Sequence, residues 1–430
     1  MQILLENSSV AGIDQFDVYR QHGGYASVEK MLTMAPNDIV EAVKKSGLRG
    51  RGGAGFSTGM KWSFLDQKSG KPKYLVCNAD EGEPGTFKDR YFMERLPHRL
   101  IEGLIVSSYA LGVNTAYIYV RGELSWIITQ LEDAIAEAKS HGFLGSKILG
   151  SEFSLEIYVH PGAGAYICGE ESALLESLEG KRGYPRIKPP FPAIAGLYGC
   201  PTVVNNVETL AAVPWIVMHG GEAYAAIGIG KSTGTKLISA CGNIRKPGVY
   251  EIALGLPVEE FIYSDSYCGG LLEGRTLKAL IAGGSSVPIL PAHLATTTAA
   301  GEPRLMTYES LFEGGFESGT MLGSGGFIVL DDKACIVRNT WNFARFYHHE
   351  SCGQCSPCRE GTGWLEKVLE RIEHGHGRTE DIDLLVEIAK KIEGKTICAF
   401  GDAAAWPIAS AIRHFRDEFI EHVSLAKDHV

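Results

Sequence analysis

The sequence predicts a multidomain α/β and α+β protein, and three observations carry that expectation. Short β-rich runs alternate with helical stretches through the first half, β runs with abundant glycine begin near residue 235, and from about Val337 the pattern turns helical. The chain has 430 residues, 45% of them apolar and 21% charged. That length suits about two to four domains, each able to bury a core.

In chain order, Ile39, Val40 and Val43 recur at helical spacing after Pro36. A helix is therefore expected from about Asn37 to Ser46, capped by Asn37 or Asp38 and stopped by Gly47. Beyond a glycine-rich loop, the runs Tyr74 to Cys77, Ala116 to Val120 and Leu155 to Val159 read as strands. Helical patterns around Pro97 to Leu111 and Glu123 to Ser140 separate them. Such alternation builds a parallel sheet with covering helices, because parallel neighbours need crossover connections. From Thr235 to Leu330, the β runs Lys236 to Ala240 and Val249 to Ile252 and the low-complexity stretch Ala295 to Gly301 indicate a small inserted α+β domain. Helices are expected over Val337 to Glu350, Arg359 to Glu373, Thr379 to Glu393 and Asp402 to His422, enough for a four-helix bundle. The expected domains are thus 1–234, 235–330 and 331–430.

A net charge of −10 gives no electrostatic footprint for nucleic acid. No apolar run approaches the roughly 18 to 20 residues of a membrane span, so no direct membrane insertion is expected. Met1 to Arg20 lacks the basic and apolar regions of a signal peptide, and its acidic residues argue against a transit peptide. A cytoplasmic protein is expected, in which the ten cysteines serve metal binding or burial rather than disulfides.

The strongest chemical signal is Cys352-Gly-Gln-Cys355-Ser-Pro-Cys358, followed at a distance by Cys398. Three thiolates in a tight turn suit three corners of a [4Fe-4S] cubane, and a fourth from a distant helix end closes the site. Four thiolates also suit structural zinc, although zinc more often takes paired knuckles. Cys77, Cys168, Cys200, Cys241, Cys268 and Cys335 stand among apolar neighbours and read as buried structural thiols.

Gly50-Arg51-Gly52-Gly53-Ala54-Gly55-Phe56 fits G-x-G-x-x-G, but a helix rather than a strand precedes it. It is weak evidence for a standard dinucleotide site. Its glycines would still let backbone amides approach a phosphate, with Arg51 and Lys61 adding charge; a flexible turn is the plainer reading. The acidic turn Asn78-Ala79-Asp80-Glu81-Gly82-Glu83 leaves the carboxyl end of the first strand, where open α/β sheets place ligands. A third junction holds Tyr166, Gly169, Glu170 and Glu171 at a helix start, where the carboxylates could equally answer the helix dipole. Lys188 and Phe191 flank two prolines and offer a cation and an aromatic face. Asn205, Asn206 and Thr209 suit a ribityl phosphate or ordinary capping.

Five ordered stretches carry a resemblance: Gly47 to Phe56 with Lys61 and Trp62, Val76 to Arg90, Tyr166 to Arg186, Pro201 to Thr209, and Glu350 to Gly363. Together they closely resemble the flavoprotein subunits of NADH:quinone oxidoreductase, the F-type flavoproteins of respiratory complex I, over essentially the whole chain. The resemblance implies a Rossmann-like FMN-binding domain, a β-grasp middle domain of the SLBB type, and a C-terminal bundle carrying one [4Fe-4S] cluster on Cys352, Cys355, Cys358 and Cys398. FMN would be held by Gly50, Arg51, Gly52, Gly53, Gly55, Lys61, Asn205, Asn206 and Thr209, with Asn78, Asp80, Tyr166, Gly169 and Glu170 near its ring. NADH would be held by Phe56, Phe64, Phe191 and Lys188, and positioned by Glu81, Glu83 and Glu171. The implied partners are a thioredoxin-like [2Fe-2S] E-type subunit and a multi-cluster G-type subunit, on the inner face of a bacterial cell membrane. In this family leucine is commoner where Phe400 stands, a departure that leaves the cluster ligands in place.

Two other readings share some of these residues. A diaphorase subunit of a soluble NAD-linked hydrogenase or formate dehydrogenase shares every motif, though such chains often carry extra cysteine-rich modules. A non-catalytic iron-sulfur or zinc interaction module would have little need of the glycine loop, Lys61 and the two asparagines.

Overall fold

The computed structural model describes residues 2–425, which fall into two compact units. The first comprises the chain up to Gly82, Phe87–Ile238 and Glu251–Gly255. Its centre is an all-parallel sheet of β1 (Tyr74–Ala79), β2 (Thr115–Val120), β3 (Glu156–Pro161) and β4 (Thr202–Asn206), in the order β3-β2-β1-β4. The three expected strands are present within two residues at each end. The fourth has no counterpart in the sequence reading. Because β2 and β3 lie to one side of β1 and β4 to the other, the order reverses between β1 and β4, which makes a topological switch point.

The helix ahead of the glycine loop is α1 (Pro36–Lys45), and its cap is Ala35, not Asn37 or Asp38. Pro36 takes the first turn, where its fixed φ suits the helix and its missing N–H costs nothing. The loop runs from there into α2 (Thr58–Ser63). Around the sheet pack α3 (Lys88–Arg95), α4 (Pro97–Leu111), α5 (Ser125–Ser140), α6 (Glu171–Leu178) and α7 (Val207–His219). Both α4 and α7 are buried almost all round, as helices enclosed within a core are. At Gly103 a Cβ would stand 2.3 Å from the Leu210 carbonyl oxygen, so glycine is what lets the two helices touch. The amides of Ile3, Leu4 and Leu5 all donate to the buried Glu251 carboxylate, which anchors the start of the described chain.

The second unit comprises Glu83–Thr86, Ser239–Tyr250 and the chain from Leu256 onward. It contains most of a mixed sheet whose strands are β5 (Thr235–Gly242), β6 (Gly248–Ala253), β7 (Leu277–Ile281), β8 (Leu290–Pro291) and β9 (Gly326–Asp331), ordered β8-β7-β9-β5-β6. Within it β9 pairs parallel with β5 and antiparallel with β7. Four helices follow: α8 (Ile336–Glu350), α9 (Ser356–Glu373), α10 (Thr379–Ile392) and α11 (Phe400–Leu425). Sheet residues such as Ala279 and Ile281 share one core with Leu365, Leu369, Leu385, Ile412 and Phe419 of the helices. No helix among the described residues is long and apolar enough to cross a membrane.

Candidate functional site

Asn78 lies near the end of β1 beside Asn206 of β4, its register partner, at the carboxyl ends of the two strands that flank the switch point. Short polar side chains belong there, because a strand end feeding a helix leaves amides that need acceptors. Asn206 caps α7 through the Glu208 amide (3.1 Å) and donates to Asp89 Oδ2 (2.6 Å). Asn78 Nδ2 donates to the Gly169 carbonyl (2.8 Å), and its Oδ1 accepts the Asp80 amide (3.1 Å). These bonds join the acidic turn, the Tyr166–Gly169 turn and β4 at one place. Asn205 accepts from the Trp62 indole (2.8 Å), tying α2 to the same sheet end.

The glycine loop lies against this edge. The Arg51 amide donates to Thr209 Oγ1 (2.9 Å), and a Cβ on Gly52 would stand 3.0 Å from Asn206 Cβ. A Cβ on the neighbouring Gly53 would meet nothing within 4 Å, so that side of the loop is open. The Arg51 side chain corrects the expectation: it is 1% exposed and its guanidinium donates inward to the Thr233 carbonyl (2.8 Å). What the loop offers an anion is backbone, not that charge. Thr209, fully buried, likewise holds the loop from beneath.

Lys61, Lys188, Glu170 and Glu171 form one ionic cluster at the start of α6. Lys61 Nζ lies 2.8 Å from Glu171 Oε2, and Lys188 Nζ lies 2.9 Å from Glu171 Oε1 and 3.0 Å from Glu170 Oε1. Burial alone would raise the Glu171 carboxyl, but the two ammonium groups hold it down at about 2. Glu170 also caps α6 through the amides of Ser172 and Ala173. Phe56, Phe64 and Phe191 are each more than half exposed, and the rings of Phe56 and Phe64 are 6.3 Å apart. Large exposed aromatics in one unit are surfaces on which a flat ring can stack.

Two residues of the acidic turn accept from backbone amides. The Glu81 carboxylate accepts the amides of Asp89 (2.8 Å) and Arg90 (3.0 Å) in the first turn of α3. Burial and the Asp89 carboxylate push it up to about 7 against the pull of Lys88 and those amides. Glu83 belongs to the second unit, where it accepts from the Ser286 amide (2.7 Å) and Ser285 Oγ (3.1 Å). The loop that reads as continuous in sequence is divided.

Sequence reasoning missed the buried charges beneath Asn206. Lys88 Nζ lies 2.7 Å from Asp89 Oδ1 and 2.8 Å from Glu208 Oε2, and Lys236 Nζ lies 3.8 Å from Glu208 Oε2. Lys236 also donates to the Arg51 carbonyl (3.2 Å), while Glu208 accepts the Leu237 amide (2.7 Å). Burial pushes Lys236 down to about 7 despite Glu208, with Lys88 and Arg51 adding repulsion. The signal was present as Lys88-Asp89 after one strand and Glu208 after two asparagines, inside stretches quoted for other residues.

In the second unit Cys352 and Cys355 lie between α8 and α9, Cys355 as the cap of α9, and Cys358 is buried in its first turn. Cys398 lies between α10 and α11. The Ile397 amide donates to Cys355 Sγ (3.4 Å), which brings the distant fourth cysteine's segment to the other three. Burial pushes the Cys358 thiol up to about 11; Ser351 Oγ, 3.1 Å away, opposes this, and Cys352 and Cys355 add to it. Thiols gathered at neighbouring helix ends are the donors an iron-sulfur cluster takes. Phe400 packs edge-on against Tyr347, with ring centroids 5.5 Å apart. Of the six other cysteines, Cys77, Cys168 and Cys268 are buried as expected, whereas Cys200, Cys241 and Cys335 are partly exposed.

These features make an open strand-end site in an α/β unit and a four-cysteine site at helix ends, and comparison with known proteins assigns both to a flavin- and iron-sulfur-binding oxidoreductase subunit. The model of the Nuo51 FMN-binding domain matches residues 43–215, and that of the NADH-ubiquinone oxidoreductase-F iron-sulfur binding region matches 338–422. The chain is 53% identical over 423 residues to the F 2 subunit of NADH-quinone oxidoreductase from Rhizobium meliloti (strain 1021), covering 98% of this chain and 97% of that one. It is 51% identical over 405 residues to the F-type subunit of NADH-quinone oxidoreductase from Rickettsia typhi (strain ATCC VR-144 / Wilmington), covering 94% and 93%. Among solved structures, a crystal structure of NAD+-reducing [NiFe]-hydrogenase in the H2-reduced state aligns with a TM-score of 0.83 at 35% identity, over 98% of this chain and 67% of that chain. The chain belongs to the family of F-type subunits of NADH-quinone oxidoreductase. The iron-sulfur match covers the segment that holds the four cysteines and favours a cluster over zinc there.

Proposed function

We propose that this chain is the NADH-oxidising flavoprotein subunit of a respiratory complex I. The observation that carries the reading is the switch-point edge of the first unit, where the open glycine loop meets Asn78, Asn206 and the turn at Gly169. Bound FMN would supply the hydride-accepting and one-electron-donating chemistry that links NADH to a [4Fe-4S] cluster. No side-chain acid or base is needed, so the residues of this chain bind, orient and tune.

In this reading Gly50, Gly52, Gly53 and Gly55 present backbone to the flavin phosphate and ribityl, with Asn205 and Asn206 fixing the loop. Lys61 and Lys188 supply positive charge that Glu170 and Glu171 keep in place before nucleotide arrives. Phe56, Phe64 and Phe191 stack the adenine, and Glu171 is the NADH-positioning carboxylate. Glu81 and Glu83, already bonded to amides, position the acidic turn. Tyr166 and Asp80 belong at the flavin ring. Cys352, Cys355, Cys358 and Cys398 hold the cluster.

We further assign residues 1–234 to the Rossmann-like domain, 235–330 to a β-grasp SLBB-type domain and 331–430 to a four-helix bundle. The mixed sheet around β9 and the four helices α8 to α11 support the last two assignments. Partners of the E type and G type, and a place on the cytoplasmic face of the cell membrane, belong to the same proposal; that the relatives are named as subunits supports partner chains. Higher identity to those subunits than to the hydrogenase chain favours complex I over a hydrogenase diaphorase.

The test is cofactor content after anaerobic purification. Wild type should carry FMN and iron; Gly52→Val should lose flavin and keep iron, because a branched side chain strikes Asn206; Cys398→Ser should do the reverse. Colourless wild-type protein without iron would overturn the reading.

A further inference from the structure

Outside the sites above, the described residues hold one group whose donors converge as metal ligands do: Cys335, Glu373 and His422, with one atom of each within 4.8 Å of the others. They come from three helix ends. Cys335 caps α8, Glu373 is the last residue of α9, and His422 stands in the last turns of α11. All three belong to the second unit, at the opposite end of these helices from the cluster cysteines. At about 1.5 Å per residue, the length of α8 separates the two groups by roughly 22 Å.

We propose that Cys335, Glu373 and His422 bind a zinc ion. The first support is chemical. One thiolate, one carboxylate and one imidazole are the donors zinc takes, whereas the thiolate disfavours magnesium and calcium. Two negative ligands and a neutral imidazole balance the dication, and three protein ligands leave a fourth position for water.

The second support is geometric. The Glu373 side chain is 3% exposed, and its Oε2 makes no hydrogen bond, a costly state for a buried carboxylate oxygen. That oxygen lies 3.4 Å from His422 Nε2. The separation is long for a charge-assisted hydrogen bond of about 2.7 to 2.9 Å. It is, however, the distance between two tetrahedral ligands that are each about 2.0 to 2.1 Å from one ion. The other oxygen, Oε1, accepts from Arg338 Nε (2.6 Å), which orients the carboxylate as outer partners of metal ligands do. Cys335 Sγ accepts the Arg338 amide (3.4 Å), so the helix end directs its partial positive charge at the sulfur. Zinc has no redox chemistry, so its role here is to clamp three helix ends rather than to carry electrons.

The test uses the full chain purified anaerobically with its flavin and cluster, freed of loose metal and titrated with zinc against a chromogenic chelator. Wild type should retain one equivalent. X-ray absorption at the zinc edge should show one sulfur near 2.3 Å and lighter ligands near 2.0 to 2.1 Å. Cys335→Ser, which keeps a capping oxygen, and His422→Gln should each weaken binding by at least about tenfold with iron content unchanged. Zinc should also raise the Tm of wild type and leave that of Cys335→Ser where it is. Wild type that holds no zinc against the chelator, a shell of four sulfurs, or equal retention in both variants would overturn the proposal.

Discussion

At the scale of single residues, the site rests on charges that a sequence reading assigns to the surface. Lys88 is fully buried between Asp89 and Glu208, and all three lie under the asparagine that caps α7. Removing the cation leaves Asp89 without its ammonium partner and Glu208 with only the more distant Lys236, so Lys88→Met should cost about 3 to 5 kcal/mol in chemical unfolding. A change within about 0.5 kcal/mol, the range of ordinary surface substitutions, would show that the group is not what holds this edge. Glu171 makes a different prediction. Its carboxyl is held at about 2 against an ordinary 4.5, so its contribution is present above the ordinary value and is lost as pH falls from there toward 2. Between about pH 5 and pH 3, wild type should lose about 1 to 2 kcal/mol more than Glu171→Gln, a figure discounted for partial exposure. Parallel pH profiles for the two proteins would contradict this. The run from Cys352 to Cys358 and the glycine loop were legible because their spacing is local. The Lys88 group was not, since its members meet only through the sheet, and neither was the inward turn of Arg51.

At the scale of elements, period and composition located β1 to β3, α4, α5 and the four C-terminal helices within a few residues at each end. They failed at β4, whose two valines are followed by two asparagines that read as capping groups. That strand matters most, since it creates the switch point. The cap of α1 was misplaced because Pro36 can occupy the first turn itself. The touching of α4 and α7 gives a test of packing. Gly103→Ala puts a methyl group 2.3 Å from a backbone oxygen that has no side-chain freedom to yield. The gain in helix propensity is under about 1 kcal/mol, and overpacking typically costs about 1 to 3. Gly103→Ala should therefore lower stability in thermal unfolding; an unchanged or raised Tm would mean the helices part easily.

At the scale of the whole molecule, two units carry two kinds of site: an open, partly charged edge with exposed aromatics, and a set of four cysteines at helix ends. The first suits a flavin and a nucleotide, the second a cluster, and family membership joins them in one electron path. The division of the acidic turn between the units was invisible in sequence, where Gly82 and Glu83 are neighbours. The central claim is that this chain oxidises NADH through flavin to iron-sulfur. Its most direct test is an anaerobic titration of the purified protein with NADH, followed by absorption and EPR. Bleaching of the flavin together with the signal of a reduced [4Fe-4S] cluster is the predicted result; flavin and cluster that both stay oxidised in excess NADH would contradict it.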